Sequence, residues 1–391
     1  MNKRKKHIVI TVTSIVALSI VLVIGYLYTI KNDNVKEKKF EVNIKKSKNF
    51  ASYEMSKKGS FYSTVNNKDS IYTLISNGEN SPSRKVFEMN KKSGSITPIY
   101  TSKYRLGEGE LISLAGNEDY LVWLDQNSTD YLSTLVVYDL KKKKIINQFK
   151  NSNEKYFDSF ILRKDTVYWI EDDTTKNQEE VGTGEDKDTM IIGNYMGTIK
   201  SYNLLSGKQS IIDTIATVNY PNNELGLSEN KLWYIDNRKY EENALIKTYD
   251  INSRKIDQYD LGEPFLGHIK PTSDKQTAFF KYTIHAPPKG LYLFNVDSKR
   301  VDLINEDEGD TKAAYSLNGE IITNTTSYKI DLNGDIYWNK SIQQELPDNF
   351  FVSSANPISS MTVITRKNDE SLFNTMLIWD ESAIKWMRLS Q

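Results

Sequence analysis

After residue 50 the chain alternates short apolar runs with polar clusters, and almost none of it shows the 3.6-residue period of a helix. Runs of five to eight apolar or aromatic residues are bounded by Asn, Asp, Gly, Lys and Ser, which is the pattern of many short strands. One unit recurs seven times: an aromatic residue, usually Asp or Asn after it, an aliphatic residue, a polar turn and another apolar strand. Its aromatics are Phe87, Tyr138, Tyr202, Tyr249, Phe294, Tyr328 and Trp379. A second unit precedes each of these, a polar turn and then an apolar strand, as in GNEDYLVWL from Gly116 and SENKLWYI from Ser228. The strict alternation, at spacings near the 40 to 50 residues of a propeller blade, predicts seven four-stranded antiparallel blades. Each blade reads strand, turn, strand, long loop, strand, turn, strand.

This frame explains a conspicuous charge run. Lys141 to Lys144 occupy the same slot as Asn90 to Gly94, Ser206 to Lys208 and Asn252 to Lys255, the hairpin between the last two strands of a blade. Such a slot calls for turn formers and solvated side chains, and lysines beside an outer strand discourage edge pairing. Trp123, Trp169 and Trp233 recur at one position of the second unit and are assigned to the core between blades. The sixth unit, residues 311–341, is short, and residues 40–55 are placed to add a strand that closes the ring against the last blade.

The alternating units resemble those of bacterial envelope β-propellers, in the broad TolB-like and WD-repeat-like class, over residues 50–390. The resemblance implies an all-β propeller; it carries architecture and not function. Most units lack the His-containing start and Trp-Asp end of a true WD repeat.

The N-terminus is a different polymer. MNKRKKH is followed by Ile8 to Ile30, 23 residues without a charge. As a helix rising 1.5 Å per residue, this run spans a hydrocarbon core of about 30 Å. We expect residues 1–7 to be a cytoplasmic stub, 8–30 a single-pass signal anchor, 31–49 a polar Lys-rich tether and 50–391 an extracytoplasmic propeller. Cleavage after Ala17-Leu18-Ser19 is the alternative, although this small-x-small site lies inside the apolar run. Lys plus Arg and Asp plus Glu both number 51, and beyond residue 30 the balance is 47 to 51, mildly acidic. That balance and the anchor argue against nucleic acid as a partner. The chain has no cysteine, which excludes disulfides, thiolate catalysis and lipoprotein acylation.

Candidate chemistry is sparse. An acidic insert at 171–191 departs from the repeat; Asp172, Asp173, Glu179 and Glu180 within it are weak metal candidates, while a solvated loop or a basic partner explains the charge as well. Asp331 to Asp335 supplies three oxygen ligands of a calcium loop but has Ile336 where glycine belongs, so a hairpin turn explains it better. His268 and His285, read as loop histidines, form neither a zinc set nor a triad. No P-loop, nucleophile elbow or dinucleotide fingerprint is present, and no cofactor is implied. The face carrying the loops between blades, and between second and third strands, should display Asp130, Tyr131, Tyr195, Tyr220, Tyr240, Glu241, Phe265 and His285. Exposed tyrosines suit protein or glycan contact. The expected function is therefore a membrane-tethered interaction, assembly or ligand-binding module for an envelope protein or cell-wall polymer. The alternative is a glycan- or peptide-active hydrolase or lyase with a carboxylate pair near the central channel.

Overall fold

The structure, a computed structural model, describes residues 40–388 apart from 47–49, 56–58, 77–82, 106–107, 128–131, 153–154, 174–178, 182–191, 219–222, 238–242, 264–265, 282–289, 306–314, 318–319, 323–326, 331–335, 339–349, 357–359, 366–374 and 381–386. The apolar run 8–30 thus lies outside the described residues, and among those described no helix is long and apolar enough to cross a membrane. Residues 41–391 form one compact unit.

Among the described residues the strands make seven antiparallel sheets, four of four strands and three of five. Blades 1 to 5 span 60–101, 109–150, 155–218, 226–260 and 266–305, each strand pairing with the next in sequence. Blade 3 has in addition Glu179–Val181, paired to its third strand. Blade 6, 315–338, gains Met387–Arg388 on its outer edge. Blade 7 holds Phe350–Asn356, Ser360–Thr365 and Thr375–Asp380, and the N-terminal strands Phe50–Met55 and then Val42–Lys46 complete it. The stretch expected to be a tether therefore gives up Val42–Lys46 to the sheet. Its alternation puts Val42 and Ile44 on one face, and both lie against Gly94 in the outer hairpin of blade 1.

First strands pack in cyclic order, blade 1 on 2, 2 on 3, 4 on 5, 5 on 6, 6 on 7 and 7 back on 1. The step from 3 to 4 is made by the N–H groups of Asn223 and Leu225, which donate to Asp158 Oδ2 and Ser159 Oγ at 3.1 Å. The ring is closed, with first strands at its centre.

Apolar side chains fill the seams between blades. Trp123 packs with Val65, Leu74 and Val86 of blade 1, and Trp169 with Val122, Leu135 and Val137 of blade 2. Trp233 differs from the expectation. Its blade pairs Lys231 with Asp250 where blade 3 pairs Thr166 with Asn203, so Trp233 matches Tyr168 and Tyr234 matches Trp169. Trp233 accordingly faces forward onto Phe279 and Phe294 of blade 5, because a slip of one residue reverses the face of a strand.

The aromatic-Asp/Asn unit has a local cause. In blades 1 to 5 the residues Asn90, Asp139, Asn203, Asp250 and Asn295 accept backbone N–H groups two or three positions on, at 2.7 to 3.0 Å. Four positions on, the chain enters the left-handed region at Gly94, Lys143, Gly207, Arg254 and Lys299, which favours glycine. The aliphatic residue between donates back to the first hairpin of the blade, as Leu140 N–H does to Asp119 O at 2.9 Å. The lysine run fits this hairpin: residues 140–143 turn and Lys144 begins the outer strand. Lys141 and Lys142 pair with Asp119 and Asp139.

Candidate functional site

Among the described residues five first strands carry a β-bulge against their neighbour, at Tyr62–Ser63, Ser113, Asp158–Ser159, His268–Ile269 and Ser353. Bulges re-aim side chains, and two of these residues, Ser113 and His268, have φ of 54° and 52°. One side chain of the bulge ties the ring together: Ser63 Oγ accepts the Leu114 N–H of blade 2 as Ser159 Oγ accepts that of Leu225. The other bulge position differs in chemistry from blade to blade. It is an exposed Tyr62 in blade 1 and Ser113 in blade 2, but Asp158 in blade 3 and His268 in blade 5.

The bulges lie near the start of each first strand, beside the end of the second, as the pairing of Lys155 with Asp173 shows. This is the end of the ring that carries the loops between second and third strands. Here blades 3 to 5 gather ionisable groups. Glu224, just before the first strand of blade 4, holds His268 Nδ1 at 2.9 Å through Oε1 and accepts from Lys270 Nζ through Oε2. The His268 ring stands edge-on to Phe280. Burial works to raise the Glu224 pKa, but Lys270 and His268 outweigh it and hold the carboxyl at about 2. These three side chains remain about a fifth to a third exposed.

Behind them sit Asp158 and Asp172. Burial raises both pKa values, and the charge of Asp158 raises that of Asp172 further. Among the neighbouring acids, Glu171 is met by Lys200 at 2.7 Å, and Asp236 and Asp213 by Lys247 at 2.7 and 3.2 Å.

The expected site residues fall differently. Asp130, Tyr131, Tyr220, Tyr240, Glu241, Phe265 and His285 lie outside the described residues, as does the calcium-like run 331–335; Tyr195 pairs through its backbone with Thr217, its side chain outside the description. Asp172 and Asp173 are no part of a loop. They end the second strand of blade 3, buried, because cross-strand pairing with Gly197 and Met196 continues past Glu171. Glu179 and Glu180 pair with Asn194 and Gly193. Among the described residues no three His, Asp or Glu side chains converge as a metal-ligand set. His268 is a strand residue with a carboxylate partner, where a loop was expected. The cluster had a sequence signal: charged residues interrupt apolar first strands in YFDSFIL from Tyr156 and LGHIKP from Leu266, where His268 and Lys270 are two apart.

No family model matches the chain, and no curated protein does. Solved structures do. An oligogalacturonate lyase in complex with manganese superposes at TM-score 0.53 with 9% identity, covering 88% of this chain and 98% of that one. A prolyl endopeptidase gives 0.51 at 8% identity, over 85% of this chain and 50% of its own. TolB from Acinetobacter baumannii gives 0.40 at 8% identity, over 89% and 81%. The chain is similar to TolB-like and WD-like β-propellers, and at this identity the likeness is one of fold alone.

Proposed function

We propose that this chain is a membrane-tethered, extracytoplasmic β-propeller that binds an envelope protein or cell-wall polymer at the loop end of blades 3 to 5. The observation that carries the reading is positional. At the same bulge, blades 1 and 2 present Tyr62 and Ser113, whereas blades 3 to 5 concentrate Asp158, Glu224, His268 and Lys270 beside the root of the acidic insert. Partly exposed charges held in one geometry give specificity at a contact. The test is crosslinking and affinity capture with the full-length protein, a Lys270→Ala variant and a deletion of 174–191. A partner captured by the first and lost from both variants supports the reading; equal capture by all three removes this face from it. Protease accessibility in intact cells tests the topology.

A second reading, a hydrolase or lyase acting on glycan or peptide, is favoured by the Glu224 to His268 contact, since a carboxylate that fixes Nδ1 leaves the ring poised as a base. The solved neighbours include a lyase and an endopeptidase. Turnover of a wall fragment or peptide that His268→Ala abolishes while capture persists would decide for catalysis.

A further inference from the structure

Asp172 is fully buried, and neither of its carboxylate oxygens has a hydrogen bond of normal geometry; the hydroxyls of Thr217 and Tyr156 lie close enough to work against the burial that raises its pKa. Thr217 is equally buried, and its hydroxyl, turned toward Asp172, likewise lacks a hydrogen bond of normal geometry. The two converge: a Cβ added to Gly197 would stand 2.7 Å from Asp172 Oδ1 and 2.5 Å from Thr217 Cγ2. Gly197 is the cross-strand partner of Asp172, so the absence of a side chain there makes room for the carboxylate. The bulge of the first strand turns Asp158 into the same seam, where its carboxylate is met by the uncharged Asn223, whose N–H donates to Oδ2 at 3.1 Å. Tyr156 lies opposite Asp172 on that strand. Leaving a buried carboxylate without a donor costs several kcal/mol in general. Glu171 and Asp236 each have a lysine, and Glu224 nearby is already neutralised by Lys270.

We propose that Asp158, Asp172 and Thr217 hold a single hard cation of the calcium type in the seam between blades 3 and 4. The donors are all oxygen, two of the groups are carboxylates, and no imidazole or thiolate is among them, which suits Ca²⁺ better than a transition metal. A cation here joins the first strand of blade 3, the root of the acidic insert and the outer strand of Thr217.

The experiment uses full-length protein at pH 7.5. Thermal midpoints are measured in EGTA and in millimolar CaCl₂, and Tb³⁺ luminescence sensitised by Tyr156 is titrated with Ca²⁺ as competitor. The expected result is a saturable rise in midpoint of several degrees and Tb³⁺ emission that Ca²⁺ displaces. Asp172→Asn should weaken Tb³⁺ affinity at least tenfold and abolish the Ca²⁺ shift. In EGTA that variant should melt no lower than the parent, since it removes the uncompensated charge, which shows that it folds. Glu179→Gln with Glu180→Gln should leave the response in place. The proposal is overturned if Asp172→Asn responds like the parent, which puts the ion on the insert. It is overturned too if the parent ignores Ca²⁺ and is stabilised only by acidification, which makes a proton the neutralising species.

Discussion

Replacing Lys247 by methionine preserves most of its stem and removes its charge. The ammonium sits 2.7 Å from Asp236 Oδ2 and 3.2 Å from Asp213 Oδ2, all three side chains being less than a fifth exposed. Tyr234 donates its hydroxyl to Asp213 and Ala216 its N–H to Asp236, both at 2.9 Å, so neither acid can swing out without breaking another bond of the seam. Two carboxylates that share one ammonium at these distances lie no more than about 6 Å apart and repel by at least about 3 kcal/mol at an effective dielectric of about 20. Removing one partner from a buried ionic cluster costs about 3 to 5 kcal/mol, so a loss of about 3 to 4 kcal/mol is expected. The assay is guanidinium denaturation followed by tryptophan fluorescence, with Trp233 of the same blade as a buried reporter. Adding Asp213→Asn and Asp236→Asn should restore more than half of the loss, because amides tolerate one another. The pH dependence has a definite sign. Burial works to lower the Lys247 pKa, but Asp236 and Asp213 outweigh it and raise it. The parent therefore keeps this stabilisation below the ordinary lysine value and loses it as pH rises through the elevated one. The methionine variant, which has no ammonium to lose, should lack that alkaline loss. A loss below about 1 kcal/mol, or no recovery in the triple variant, would refute the argument.

Three further outcomes follow from the same framework. Lys143→Gly and Arg254→Gly, at φ of 50° and 62°, should each raise stability by about 0.5 kcal/mol, the relief of left-handed strain exceeding the extra chain entropy of glycine; a fall in the denaturation midpoint would show the hairpins to be unstrained. Asn203→Ala, losing acceptance from the Ser206 N–H at 2.8 Å, should cost about 1 kcal/mol while Asn203→Asp costs little. The Glu224 pKa is lowered to about 2, so its stabilisation is complete above the ordinary carboxylate range and is lost as pH falls from about 4.5 toward 2; Glu224→Gln should flatten that part of a melting profile, and an unchanged profile would detach Glu224 from Lys270 and His268.

The hairpins, the repeat and the blade order were legible in the amino-acid sequence because their causes are local. An Asx side chain and a left-handed residue four positions on act within one turn, and the strand alternation of a half-buried sheet needs no distant partner to be visible. Register was less legible. Trp233 sits in a run like that of Trp169, yet pairing Lys231 with Asp250 reverses its face, and register is a property of two strands together. The closing strand expected within 40–55 is there, Phe50–Met55 on the last blade, but the tether was drawn too long: Val42–Lys46 is Lys-rich and unremarkable alone, and becomes a strand by pairing with the edge that Phe50–Met55 offers. The charged cluster was legible only in its separate parts. Asp158, Asp172, Glu224, His268 and Lys270 come from three blades, and each alone is an ordinary polar interruption of a strand or loop. Ring closure and bulges bring them to one end of the channel, and burial there shifts the carboxyls of Asp158 and Asp172 in one direction and lets Lys270 and His268 drive that of Glu224 in the other. Local chain chemistry thus determined the blades, while the long-range packing of seven sheets decided which charges meet.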